Sequence, residues 1–209
     1  MQNAFINITE KHFIASGAYC ACYRHPDVPD QCIKVQTTNK KAGKRFRADI
    51  AYYKKLHHRQ SDLRYIADYL GACETNLGQG SIYECVLDGD GAVSTTLKHY
   101  LETGTLDTEV LLKEIRLVAV HLLNHRIVIG DIHERNILIQ SIAGQTPKPI
   151  VVDGIGDTVA ITVLNVFKSH VHAKIMRRWN RFIDSLIKQY PERQTAMQQA
   201  YVNQDDIEG

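Results

Sequence analysis

Asp131 and Asn136 stand five residues apart, Asp153 follows Asp131 by 22, and Lys34 lies far upstream in an apolar stretch. These residue types suit phosphoryl transfer. That chemistry asks a protein mainly for positioning and charge neutralisation: a cation on the phosphates, hard oxygen ligands for Mg²⁺, and a carboxylate that orients the attacking hydroxyl. Asp131 is the candidate for the hydroxyl, Asn136 and Asp153 for the metal, and Lys34 for the phosphates. Gly154 follows Asp153, and a carboxylate beside glycine at a strand end approaches a metal without crowding. A strand lysine either faces water at a sheet edge or finds a partner inside a cleft. Asp49, fifteen residues after Lys34, is a candidate partner or a residue of a solvated helix face.

The elements around these residues read as an α+β chain. Phe13–Tyr23 gives two short strands around Gly17, His25–Asp30 is turn chemistry, and Gln31–Gln36 alternates as a half-buried strand. Thr37–Lys44 is basic and reads as a loop, and Phe46, Ile50, Tyr53 and Leu56 have helical spacing within Arg45–Leu56. Ala67–Glu74 and Ser81–Leu87 are predicted strands flanking a glycine turn at Asn76–Gly80. The polar stretch Asp88–Gly91 divides this part from a helical one. Leu106–Asn124 is predicted as a buried helix, Ile137–Ile139 and Ile150–Val152 as short strands, and Val171–Tyr190 as a helix stopped by Pro191. A last short helix is expected within 192–202, and 205–209 as a frayed tail. Asp131 and Asn136 thus fall in a loop between a buried helix and a strand.

Gly130-Asp131-Ile132-His133-Glu134-Arg135-Asn136-Ile137-Leu138 resembles the catalytic loop of the protein-kinase-like phosphotransferases. Cys32-Ile33-Lys34 resembles their strand lysine, and Asp153-Gly154 their second metal-binding aspartate. Gly130 and His133 are closest to the small-molecule branch. Further matches (Cys22-Tyr23-x-His25-Pro26, Tyr52-Tyr53, Glu74-Thr75, Asp88-x-Asp90-Gly91, Asp153-x-Ile155-Gly156 and Trp179-x-Arg181-Phe182-Ile183) together resemble the YrbL family of bacterial PhoP-regulatory-network proteins.

The resemblance implies a two-lobed kinase-like fold in one domain over 1–209. A β-rich N-lobe with one helix would span about 1–87, and a reduced helical C-lobe about 92–203. It implies ATP and Mg²⁺ as ligands, with Lys34 and Asp49 at the phosphates and Gly17 in their lid. Val86 and Leu87 would lie at the adenine, His133 near the γ-phosphate or in a loop hydrogen bond, and Asn136 and Asp153 on the metal. Asp131 would be the catalytic base.

The pattern departs from the superfamily in three places. Gly17 is the lone glycine of its turn, Asp49 stands where glutamate is usual, and Gly130 replaces the arginine that docks a phosphorylated activation loop. Only 56 residues follow Asp153, too few for a standard peptide groove.

A net charge of +2 gives no electrostatic reason to expect a nucleic-acid partner. The first ten residues lack a signal-peptide pattern, and the longest apolar run, Val159–Phe167, is too short to span a bilayer, so a cytoplasmic protein without a transmembrane segment is expected. The five cysteines are odd in number and contain no C-x-x-C, which points to reduced thiols. His121 and His125 share a helix face four residues apart and could ligate zinc with a third group such as His133. Arg177-Arg178 reads as solvated charge or an anion site. Two functions follow: a phosphotransferase acting on a hydroxyl of a small molecule, a sugar or lipid-linked sugar, or a protein, or a nucleotide-binding pseudokinase that regulates.

Overall fold

Six short strands between Phe5 and Glu84 build one sheet in this computed structural model, which describes residues 5–17, 20–36, 40–156 and 168–207. For 40–42, 44 and 45 it describes the helix backbone alone. The strands are β1 (Phe5–Ile6), β2 (Phe13–Ser16), β3 (Cys20–Arg24), β4 (Gln31–Gln36), β5 (Tyr69–Thr75) and β6 (Gly78–Glu84). Their order is β1-β5-β6-β4-β3-β2, antiparallel except for the parallel β1–β5 pair. Helix α1 (Lys40–His58) connects β4 to β5. Its Tyr53 and Leu56 are almost fully buried, and the Tyr53 hydroxyl donates to the Ala67 carbonyl at 2.8 Å.

A three-stranded sheet follows, from β7 (Thr95–Thr96), β8 (Ile137–Gln140) and β9 (Lys148–Val151). With it come helices α2 (Leu97–Thr103), α3 (Thr108–Asn124), α4 (Lys168–Gln189) and α5 (Gln194–Gln198). The chain is therefore α+β. One apolar core runs from Cys32, Tyr53 and Tyr83 through Leu112, Ile115 and Leu122 to Trp179, Phe182 and Ile183. Trp179 is 1% exposed, and its indole N–H is satisfied by the Ala200 carbonyl at 2.8 Å, so α4 and the C-terminal segment are locked together. Among the described residues no helix is long and apolar enough to cross a membrane. The apolar run Val159–Phe167 lies outside the described residues.

Four expectations change. Lys40–Lys44 opens α1 instead of belonging to a loop: lysine and alanine are good helix formers, and a basic composition is no barrier to helix. The hairpin after β5 is tighter than the glycine run suggests, because Gly78 and Gly80 belong to β6. Gly80 lies within the strand and has no room for a side chain, since a Cβ there would lie 2.8 Å from Ile33 Cγ2 and 3.1 Å from Cys73 Sγ. Helix α2 was not expected, yet its signals are local. Thr96 accepts from the His99 N–H, Leu97 and Leu101 are buried one turn apart, and Gly104 ends the helix at φ +66°. The tail is not frayed at Asp206: its carboxylate meets Arg116 Nη2 at 2.5 Å and is 11% exposed, and the Arg116 Nε donates to the Tyr201 carbonyl.

Candidate active site

The β4 strand places Lys34 in the six-stranded sheet, and the ends of β8 and β9 place Asn136 and Asp153. Ile137 pairs with Val151, so Asn136 and Val152 are the next facing residues beyond the ladder, joined by a Val152 N–H to Asn136 carbonyl bond of 2.9 Å. Asp153 follows directly. Lys34 reaches across from the other sheet: its ammonium donates to the Val152 carbonyl at 2.7 Å and lies 3.8 Å from Asp153 Oδ1. The Lys34 side chain is 12% exposed, whereas Asp153 is half exposed. Burial pushes the Lys34 ammonium down, but Asp153 and, more weakly, Tyr83 and the nearby thiols outweigh it and hold its pKa above the ordinary lysine value. The ammonium is therefore fully charged at neutral pH.

Asp131 is exposed, and the loop that carries it is pinned on every side. Val128 N–H donates to the Tyr52 hydroxyl of α1 at 2.8 Å, and Arg178 of α4 donates to the Ile129 carbonyl at 3.0 Å. Ile129 bridges Ile155, and Gly130 N–H donates to the Gly154 carbonyl at 2.7 Å. The two acid-bearing loops touch backbone to backbone. A Cβ on Gly154, which has φ +74°, would lie 2.4 Å from the Asp131 carbonyl oxygen, and one on Gly130 would lie 2.7 Å from the Gly156 carbonyl oxygen. These glycines thus set the spacing of Asp131 and Asp153. At Gly130 an arginine, or any larger residue, would collide with the Gly156 backbone.

Asn136 links the loops again. Its side-chain N–H donates to the Asp131 carbonyl at 3.0 Å, which leaves the amide oxygen as the atom able to ligate a cation. His133 Nδ1 accepts the Arg135 N–H at 3.3 Å, so one ring nitrogen holds the loop.

Lys34, Asp49, Asp131 and Asp153 line one cavity of about 430 Å³ including its open mouth, with Cys20, Phe46 and Tyr83 completing the wall. Three carboxylates facing one ammonium favour a bound cation. The oxygen donors suit a hard ion such as Mg²⁺, and the one thiol on the wall does not compete: burial pushes Cys20 up to about 11, with Lys34 acting the other way, so it is protonated at neutral pH.

The other expected residues lie elsewhere. Gly17 sits in the β2–β3 hairpin, its N–H bonded to the Cys20 carbonyl at 2.9 Å, with 18–19 outside the described residues. Val86 lines a separate cavity with Arg64, Asp68, Glu84 and Lys148. Its carbonyl accepts from Ser94 N–H at 2.9 Å, and the Leu87 carbonyl accepts from the Gln140 amide at 2.8 Å.

Sequence reasoning missed three contributors. Tyr83 places its ring 4.7 Å from the Lys34 ammonium, a cation–π contact. It sits opposite Cys32, two residues along from the Lys34–Ser81 pair, so only the strand register reveals it. The Val152 carbonyl carries no sequence signal. Arg178 is a positioning residue for the Asp131 loop, where solvated charge or an anion site was expected.

A family model described as "PhoP regulatory network protein YrbL" matches residues 6–187. "Uncharacterized protein YrbL" of Escherichia coli (strain K12) is 31% identical over 184 residues, covering 85% of this chain and 86% of the relative. The protein of the same name from Shigella flexneri matches with the same identity and coverage.

Proposed function

The chain belongs to the PhoP regulatory network protein YrbL family, and from the chemistry of its cleft we propose that it is an ATP- and Mg²⁺-dependent phosphotransferase of reduced protein-kinase-like fold, acting on a hydroxyl acceptor. In this reading the residues up to about Leu87 form the N-lobe, and those from about 92 to 203 form the C-lobe. The observation that carries the proposal is the meeting of Lys34, Asp131 and Asp153 on one cavity, from two different sheets and a loop. Five free cysteines suit a reducing compartment such as the cytoplasm.

Each residue then has a definite task. Asp131 would accept the proton of the acceptor hydroxyl as its oxygen attacks the γ-phosphorus of ATP, while the bond from that phosphorus to the β,γ-bridging oxygen breaks and ADP leaves. Lys34 leaves the Val152 carbonyl and pairs with phosphate oxygens. Asn136 and Asp153 would hold Mg²⁺, whose chemistry is to neutralise charge on the transferred phosphoryl group. Tyr52, Arg178 and the glycine contacts keep Asp131 in place.

A nucleotide-binding regulator is the second reading. It is favoured by one observation: the ammonium of Lys34 is already held by the Val152 carbonyl and Asp153, so a phosphate has to displace these partners. Transfer from γ-labelled ATP, as autophosphorylation or slow hydrolysis, separates the two. The expected result is turnover in the wild type and a loss of at least about a hundredfold in Asp131→Asn, with ATP binding retained. Turnover unaltered by Asp131→Asn removes Asp131 as the base, and binding without turnover selects the regulator.

A further inference from the structure

We infer that Asp62, His121 and His125 form a binding site for a divalent transition-metal cation of the zinc type, separate from the cleft and independent of its function. The ligand-capable atoms of the three side chains lie within 4.8 Å of one another. His121 and His125 are one turn apart at the C-terminal end of α3, with ring centroids 4.3 Å apart. Asp62 comes from the segment between α1 and β5, which wraps over that helix end. The expected third group was His133, and the structure supplies Asp62 in its place. Sequence alone cannot make that choice, because Asp62 is 59 residues from His121 and meets it only through the fold.

Three features prepare the site. The His121 Nε2 lies 2.9 Å from the Asp62 carbonyl oxygen. A neutral imidazole donates Nε2–H there, which ties the ring to the segment that carries Asp62 and leaves Nδ1 as its unprotonated nitrogen. Burial of His121 disfavours its protonated form, with the Asp62 backbone bond acting the other way. Tyr65 packs edge-on against the His121 ring at 5.2 Å and restricts its rotation.

Arg64 is the competitor. Its guanidinium occupies Asp62 Oδ2 at 2.5–2.6 Å, yet its side chain is 64% exposed and can turn into water. Nitrogen and oxygen ligands of tetrahedral zinc stand about 3.3 Å apart, given bonds of about 2.0–2.1 Å. A closure of up to about 1.5 Å among the three side chains therefore completes the set, with the fourth position left to water. Two imidazoles and one carboxylate select zinc over Mg²⁺ or Ca²⁺, which prefer all-oxygen shells.

The test titrates the full chain, kept reduced, with Zn²⁺ against a chromophoric chelator, and repeats the titration with Co²⁺ as a spectroscopic substitute. The expected result is one strong equivalent for the wild type. Binding should weaken at least tenfold in both His125→Gln and Asp62→Asn, whose metal-free melting points stay close to wild type. It should be equal or tighter in Arg64→Ala. Co²⁺ should give visible bands without a thiolate charge-transfer band. No strong equivalent in the wild type, binding that both His125→Gln and Asp62→Asn leave unchanged, or a thiolate band from the bound equivalent would each overturn the site.

Discussion

Alanine at Gly154 attacks the contact that spaces the two acid-bearing loops, and the structure supplies its own control. Gly154 has φ +74°, and its added Cβ would lie 2.4 Å from the Asp131 carbonyl oxygen and 3.1 Å from Asp131 Cβ. Gly144 has nearly the same φ, +76°, but nothing within 4 Å of an added Cβ. Both substitutions carry the left-handed backbone penalty, about 1–2 kcal/mol. Gly154→Ala adds a steric term. The atom it meets is backbone, held by the Gly130–Gly154 hydrogen bond and the Ile129–Ile155 bridge, and cannot swing aside. Overpacking of this kind costs about 1–3 kcal/mol more. Urea denaturation at constant m-value should therefore place Gly154→Ala below Gly144→Ala by about 1–3 kcal/mol. Under native conditions phosphoryl transfer should also fall far more in Gly154→Ala, because Asp131 is displaced. Equal stabilities within about 0.5 kcal/mol, the usual scatter of a neutral change, would refute the argument that these loops are spaced by close backbone contact.

Lys34→Met should cost about 1.5–3 kcal/mol of folding stability, the worth of a charged donor's hydrogen bond to the Val152 carbonyl, while abolishing the rise in melting point produced by ATP with Mg²⁺. Thermal scans with and without nucleotide read both effects, and a nucleotide-induced rise that survives the substitution would remove Lys34 from the phosphate site. Asp206→Ala should lower stability by about 1 kcal/mol, since it removes the partner of Arg116 and the acceptor of the Asn203 N–H. An unchanged melting point there would restore the picture of a frayed tail.

The parts of the fold legible in the sequence are those whose signals are local. Gln31–Gln36, apolar at Cys32, Ile33 and Val35 between polar residues, is β4 with the same ends. Asp107, Pro191 and the helical apolar spacing mark α3 and α4 to within a few residues. Helix α2 has local signals too, but at 7 residues it buries fully only Leu97 and Leu101, with Tyr100 packed beside them, a pattern too short to show helical periodicity. Gly80 misled for a tertiary reason: a glycine run reads as a turn, whereas this glycine is required by Ile33 on the adjacent strand. The site divides in the same way. Lys34, Asp131, Asn136 and Asp153 stand out by motif spacing. Tyr83 depends on the β4–β6 register, Arg178 on how α4 packs, and Asp62 on where one connecting segment crosses α3. None of those three is written in any window of the sequence.

The central claim is that the cavity bounded by Lys34, Asp131 and Asp153 takes a nucleotide triphosphate through a divalent cation. Calorimetric titration of ATP with Mg²⁺ into the wild type and Asp153→Asn tests it most directly. The account predicts saturable binding to one site in the wild type, weakened at least tenfold either by omitting Mg²⁺ or by Asp153→Asn, a loss of about 1.4 kcal/mol or more. No binding at millimolar ATP with Mg²⁺, or binding of equal strength in Asp153→Asn and without the metal, would contradict it.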